Sequence, residues 1–153
     1  MHTPQGIKKR PVTALQAALN WEAQHPDNHL LCLVDDDYPL SLSEIDAPPP
    51  LLFARGNLAL LQEPSVAIIG SRHASASGLN IAQGLAAELS RYGVCIVSGF
   101  AAGIDTAAHQ GCIQAQGKTI AVLGTGIDRV YPVIHFVAPF LKKETELLTV
   151  LLY

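Results

Sequence analysis

The chain has 153 residues, 49% hydrophobic and 15% charged, a composition that excludes a disordered polymer and suffices for one domain with a buried core. Its formal net charge of -3 argues mildly against a protein that coats nucleic acid through bulk positive charge, so any phosphate contact must come from a local basic site. The apolar runs at 66–69 and 119–123 are strand-sized and far short of a membrane span.

Residues 13–24 place Leu15, Ala18, Leu19 and Trp21 on one face behind Thr13 as N-cap, which predicts a short amphipathic helix. Lys8, Lys9 and Arg10 precede it, but Gln16, Asn20 and Glu22 follow where a signal peptide needs an apolar core, so secretion is not expected. Cys32, Cys95 and Cys112 are widely spaced and form no Cys-x-x-Cys pair. They read as buried thiols of a cytoplasmic protein, with neither a disulfide framework nor a zinc site. Residues 29–34 and 51–54 are β-compatible runs, the second after Pro48-Pro49-Pro50, and are expected to extend the edge of a sheet.

From Ser65 the pattern turns regular. Strands at 65–69, 94–97 and 119–123 alternate with helices at 77–92 and 104–116, and each helix closes on a glycine, Gly93 or Gly117, suited to a left-handed C-cap. Continuous apolar strands alternating with helices predict βαβ units, that is, an α/β, Rossmann-like, doubly wound and mostly parallel sheet, incomplete at its C-terminus. The expected organisation is a helical segment at 1–28, the Rossmann-like domain at 29–135 and a divergent tail at 136–153. Right-handed crossovers put the loops after the three strands on one edge of the sheet, where open α/β sheets bind ligands.

The first loop carries Gly70, Ser71, Arg72 and Ser75 ahead of a helix: a guanidinium, hydroxyls and first-turn amides, a set that suits a phosphate. The alternative is a tight turn with serine capping and a solvated arginine. The second loop, with Ser98, Gly99, Phe100 and Gly103, is small and neutral enough for close backbone approach. Phe100 is its one large side chain, either a platform for a base or a packing residue. Asp105 and His109 share a helical face and are expected to pair, with Asp105 also favouring the helix dipole; no further ligand stands at metal spacing. The third loop opens on Gly124, Thr125 and Gly126 like a dinucleotide fingerprint but has Arg129 where the third glycine belongs. Neither that fingerprint nor a P-loop lysine motif is complete, so no nucleotide cofactor is expected. Lys118 precedes its strand, at the edge opposite the loops, and is read as solvated.

Several runs together resemble the DNA-processing protein A family, also called DprA or Smf. They are Asp37-Tyr38-Pro39, Leu52-Phe53-Ala54-Arg55-Gly56-Asn57, the stretch from Val66 to Arg72, that from Ile96 to His109, and that from Gly117 to Pro132. The likeness covers residues 14–135. It implies an extended Rossmann-like domain that binds single-stranded DNA in natural transformation (competence), hands it to the RecA recombinase, forms a homodimer at full length and catalyses no covalent reaction. By the same resemblance the Gly-Ser-Arg loop, here Gly70, Ser71 and Arg72, touches the DNA backbone. Nucleotide-cleaving enzymes of similar architecture carry Gly-Gly-x-Gly-Thr and Pro-Gly-x-x-Arg signatures, and neither occurs here.

Beyond His135 the likeness fades, which leaves about half of a full-length relative unmatched and raises a further reading, an inert fragment. The apolar residues 147–152 are expected to form a substitute strand. Without a neighbour it would be an aggregation-prone edge.

Overall fold

The computed structural model describes residues 11–124 and 147–152, with side chains described for 14–124. In chain order the elements are helix α1 (Pro11–Ala23), strand β1 (Asn28–Cys32), a single-turn helix α2 (Leu40–Ser43), β2 (Leu51–Gly56) and a 3-10 turn (Leu58–Gln62). Then follow β3 (Ser65–Ala67), α3 (Ala76–Arg91), β4 (Cys95–Ser98), α4 (Ile104–Gln114), β5 (Thr119–Leu123) and β6 (Leu147–Leu152).

The described strands form one six-stranded sheet in the order β1-β2-β6-β5-β4-β3. β3, β4, β5 and β6 are parallel, while β2 runs antiparallel to β6 and β1 to β2. The chain is α/β with an extended, mixed sheet. The apolar end of the chain does form a strand, and it is no edge: Leu148 pairs with both Gly56 and Ile120, so β6 joins the antiparallel hairpin to the parallel block.

Strand alternation sorts the core into two layers. Ile68 and Ile96 turn toward α3 and α4, where they meet Ala82, Ala86, Ala107, Ala108 and Cys112. Small residues let the two helices approach closely, and a side chain on Gly111 would fall on the carbonyl of Gln83. Cys95 and Ile120 turn the other way, onto Leu31, Tyr38, Leu52, Ala54 and Leu60.

Several local expectations are corrected. In α1 the packed residues are Ala18 and Trp21, while Leu15 and Leu19 are exposed. Trp21 decides this, because its ring meets Phe53 edge-on at 5.2 Å and its carbonyl accepts from Asn28 Nδ2 at 2.7 Å. The backbone is already helical at Pro11, so Thr13 lies inside the helix. Cys32 is exposed, because the edge strand β1 turns it outward; Cys95 and Cys112 are buried and free. Gly93 does close α3 in the left-handed region, with φ of 79°, but at the end of α4 Gln116 takes that conformation, with φ of 56°. Gly117 is required for space: a Cβ there would lie 2.6 Å from Ser90 Oγ.

Candidate nucleic-acid interface

The loop after β3 is held open by its own hydroxyls. Ser71 Oγ accepts from the His73 amide at 3.1 Å, and Ser75, extended at φ -66° and ψ 158°, caps α3 by accepting from the Gly78 amide at 3.2 Å. Each hydroxyl uses a lone pair in these bonds and keeps its proton, so both remain donors toward solvent. Ser71, Arg72, His73 and Ser75 are all exposed. Among the described residues, nothing forms an ion pair or hydrogen bond with the Arg72 side chain. An exposed arginine with no partner among the described residues, beside two hydroxyl protons and a helix start, is a ready anion contact.

The second loop is locked beneath the first. The Ile104 amide, at the start of α4, donates to the Ser71 carbonyl at 3.2 Å. Gly103 makes that junction possible: its φ of 83° and ψ of -128° suit glycine, and a Cβ there would fall on the carbonyls of Ser71 and Arg72. Gly70 meets the same junction from the other side, since its Cβ would lie 2.7 Å from Ile104 Cγ1. Gly99 adjoins the next strand, with a Cβ position 3.9 Å from the Val122 carbonyl. The ends of β3, β4 and β5 therefore lie side by side at one edge of the sheet. Gly124 is exposed at its margin, and Thr125 and Arg129 lie outside the described residues.

Two predicted site residues face inward. Ser98 is 2% exposed and its hydroxyl donates to the Ile68 carbonyl at 2.6 Å, tying β4 to β3. Phe100 is 5% exposed, held at φ of 59°, with its ring edge-on to His109 at 5.2 Å. It packs, and offers no face to a base. Asp105 is buried in the first turn of α4, where Oδ2 accepts from the Ala101 amide at 3.4 Å. That carboxylate already occupies the positive end of α4, which leaves the start of α3 as the open helix terminus.

The expected pairing of Asp105 with His109 does not form. His109 Nδ1 lies 2.8 Å from Thr119 Oγ1, whose proton goes to the Ile96 carbonyl at 2.7 Å. The threonine oxygen can therefore only accept, so Nδ1 of His109 carries a proton. Burial pushes the imidazole down to about 4. Lys118 stays partly exposed, and it also bonds Glu63 Oε1 at 2.7 Å, at the sheet edge opposite the loops. Sequence reasoning missed Thr106, whose hydroxyl donates to the Ala101 carbonyl at 2.7 Å and braces the second loop, and Thr119. A threonine in the first turn of a helix after a glycine-rich loop was the available signal for Thr106. Among the described residues no cluster of three His, Cys, Asp or Glu side chains is placed to hold a metal ion, and no helix is long and apolar enough to cross a membrane.

A sequence profile of the family described as DNA recombination-mediator protein A matches residues 29–147. The chain belongs to that family. It is 53% identical over 104 residues to the DNA processing protein DprA of Streptococcus pneumoniae, covering 65% of this chain and 35% of that protein. Against the protein Smf of Synechocystis it is 43% identical over 115 residues, covering 72% and 29%. The crystal structure of the S. pneumoniae DprA superposes with a TM-score of 0.75 and 41% identity, over 90% of this chain and 47% of that one. A Helicobacter pylori DNA processing protein A, studied for its single-stranded DNA binding mode, superposes with a TM-score of 0.66 and 29% identity, over 82% and 55%. This family member thus spans about a third of the length of the curated relatives it matches and about half of the solved ones.

Proposed function

We propose that this chain binds single-stranded DNA through the crevice at the ends of β3, β4 and β5, with Arg72 gripping a backbone phosphate, and carries out no covalent chemistry. The observation that carries the reading is the exposed Arg72 guanidinium, without a partner among the described residues, on a loop whose shape is fixed from beneath by Gly103 and Ile104. Gly70, Ser71 and Ser75 complete the phosphate seat, and Gly99, Gly103 and Gly124 let the strand approach the backbone. Thr125 and Arg129 extend the contact along the third loop. Ser98 and Phe100 act from below, by holding the loops rather than touching DNA. In the cell the chain works in the cytoplasm on incoming DNA in natural transformation and passes the strand to the RecA recombinase.

Support comes from family membership and from the single-strand binding named for the H. pylori relative. A net charge of -3 leaves little nonspecific attraction, so affinity depends on the few cations placed at the crevice. Arg72→Ala is expected to weaken binding of an oligothymidylate in low salt by about 10- to 100-fold, the worth of a charge-assisted hydrogen bond to phosphate. It also lowers the slope of log affinity against log salt by about 0.7 for each phosphate released. Arg72→Lys keeps the charge without the planar fork and recovers part of the affinity. Fluorescence anisotropy across a salt series reads both quantities. Equal affinity and slope for the wild type and Arg72→Ala would remove the assigned seat.

A further inference from the structure

Helix α4 starts on Gly103, an N-cap with no side chain to accept from the first-turn amides. Two residues of its first turn reach back instead, and both reach Ala101. Asp105 Oδ2 accepts from the Ala101 amide at 3.4 Å, and the Thr106 hydroxyl donates to the Ala101 carbonyl at 2.7 Å. The shorter bond closes residues 101–106 into a ring, and that ring contains the two residues that meet the first loop. A Cβ on Gly103 would fall on the carbonyls of Ser71 and Arg72, so its backbone lies directly against them, and the Ile104 amide donates to the Ser71 carbonyl at 3.2 Å.

The backbone inside and beside this ring needs holding. Phe100 and Gly103 flank Ala101 and Ala102 with φ of 59° and 83°, and a residue with a Cβ keeps the left-handed conformation only where its surroundings impose it. A threonine within a helix ordinarily turns its hydroxyl to solvent or to the carbonyl four residues back. Thr106 bonds one residue further back, across the helix start. Thr106 and Ala101 are only partly buried, so water can satisfy both groups once the bond is gone. What the bond adds is a fixed shape for the loop.

We propose that Thr106 is a positioning residue of the single-stranded DNA site: its hydroxyl fixes the second loop and, through Gly103 and Ile104, the loop that presents Arg72. The proposal rests on the DNA-binding reading of Arg72. Thr106 touches no DNA itself, since its one hydroxyl proton is spent on Ala101. It acts by preorganisation: with the loop shape set before binding, less of the binding free energy goes into ordering it.

The test measures oligothymidylate affinity across a salt series for the wild type, for Thr106→Val, Thr106→Ala and Thr106→Ser, and for Arg72→Ala alone and combined with Thr106→Val. Thr106→Val keeps the side-chain shape without the hydroxyl. It is expected to keep the circular dichroism spectrum and weaken binding by about 3- to 10-fold, the worth of one neutral hydrogen bond. The salt slope is expected to stay that of the wild type, because the complex still contacts the same phosphates. Thr106→Ser is expected to restore most of the affinity. In the Arg72→Ala background Thr106→Val is expected to cost less than about twofold, because a seat without its guanidinium leaves little to position. Five results overturn the proposal: wild-type affinity in both Thr106→Val and Thr106→Ala, a salt slope lowered as far as by Arg72→Ala, no recovery in Thr106→Ser, an undiminished loss in the Arg72→Ala background, or unfolding of both Thr106→Val and Thr106→Ala, which would make Thr106 a folding residue. A loss in Arg72→Ala with none in the Thr106 variants overturns this proposal alone, whereas wild-type affinity in Arg72→Ala overturns the DNA-binding reading beneath it as well.

Discussion

Gly103→Ala is expected to destabilise the protein by about 3 kcal/mol or more, because strain and overlap act together at that residue. A backbone at φ 83° and ψ -128° costs a residue with a Cβ roughly 1–3 kcal/mol. The added methyl would also land on the Ser71 and Arg72 carbonyls, which must shift and so break the bond from the Ile104 amide. Urea denaturation measures the loss. Gly84→Ala is the control, since Gly84 lies within α3 and its Cβ position has nothing within 4 Å; it should stabilise by about 0.5–1 kcal/mol through helix propensity alone. Similar effects for the two substitutions would show that the loop junction is not the rigid element described. A Gly103→Ala protein that stays folded should also bind DNA more weakly, since the loop carrying Arg72 loses its support.

The second large effect is in the acid range and belongs to His109. Its folded-state pKa is lowered from 6.5 to about 4 by burial, so the unfolded chain takes up this proton first. Stability contributed by the neutral imidazole is present in full above about pH 6.5. It declines as the pH falls, and levels off once both states are protonated below about 4. At 1.36 kcal/mol per pK unit the total is roughly 3 kcal/mol, a large part of a typical domain's stability. Urea midpoints between pH 7.5 and 4 should trace this decline. His109→Asn retains a donor toward Thr119 but does not titrate; it should be less stable at pH 7.5 and show a shallower pH dependence. An unchanged pH dependence in that variant would assign the acid sensitivity to other groups.

The alternation that announced the parallel strands was legible because it follows from burial on both faces, and β5 runs from Thr119 to Leu123 as its apolar run indicates. The placement of the first two loops at one edge of the sheet followed from chain handedness alone. What was not legible depended on contacts between distant segments. Leu15 and Leu19 share a helical face with Ala18, yet only Trp21, two strands away from its partner Phe53, shows which stripe is packed. His109 was paired with its neighbour one turn back because spacing is all a sequence offers, whereas the hydroxyl of Thr119 on the adjacent strand competes better in the fold. The ion pair of the partly exposed Lys118 was not legible because Glu63, its partner, is 55 residues away. In the candidate site, the glycines and Arg72 stood out as residue types, but the inward turn of Phe100 did not. That turn depends on a left-handed backbone at a non-glycine residue, which no propensity favours.

The most direct test of the central claim is a titration of the nitrogen-15-labelled chain with oligothymidylate, followed by amide chemical shifts. The account predicts that the largest changes cluster at 70–78, 99–103 and 124, with Arg72 and the first amides of α3 among them. Changes concentrated instead on α1 and β1, with the Gly70 to Ser75 amides unmoved, would contradict it.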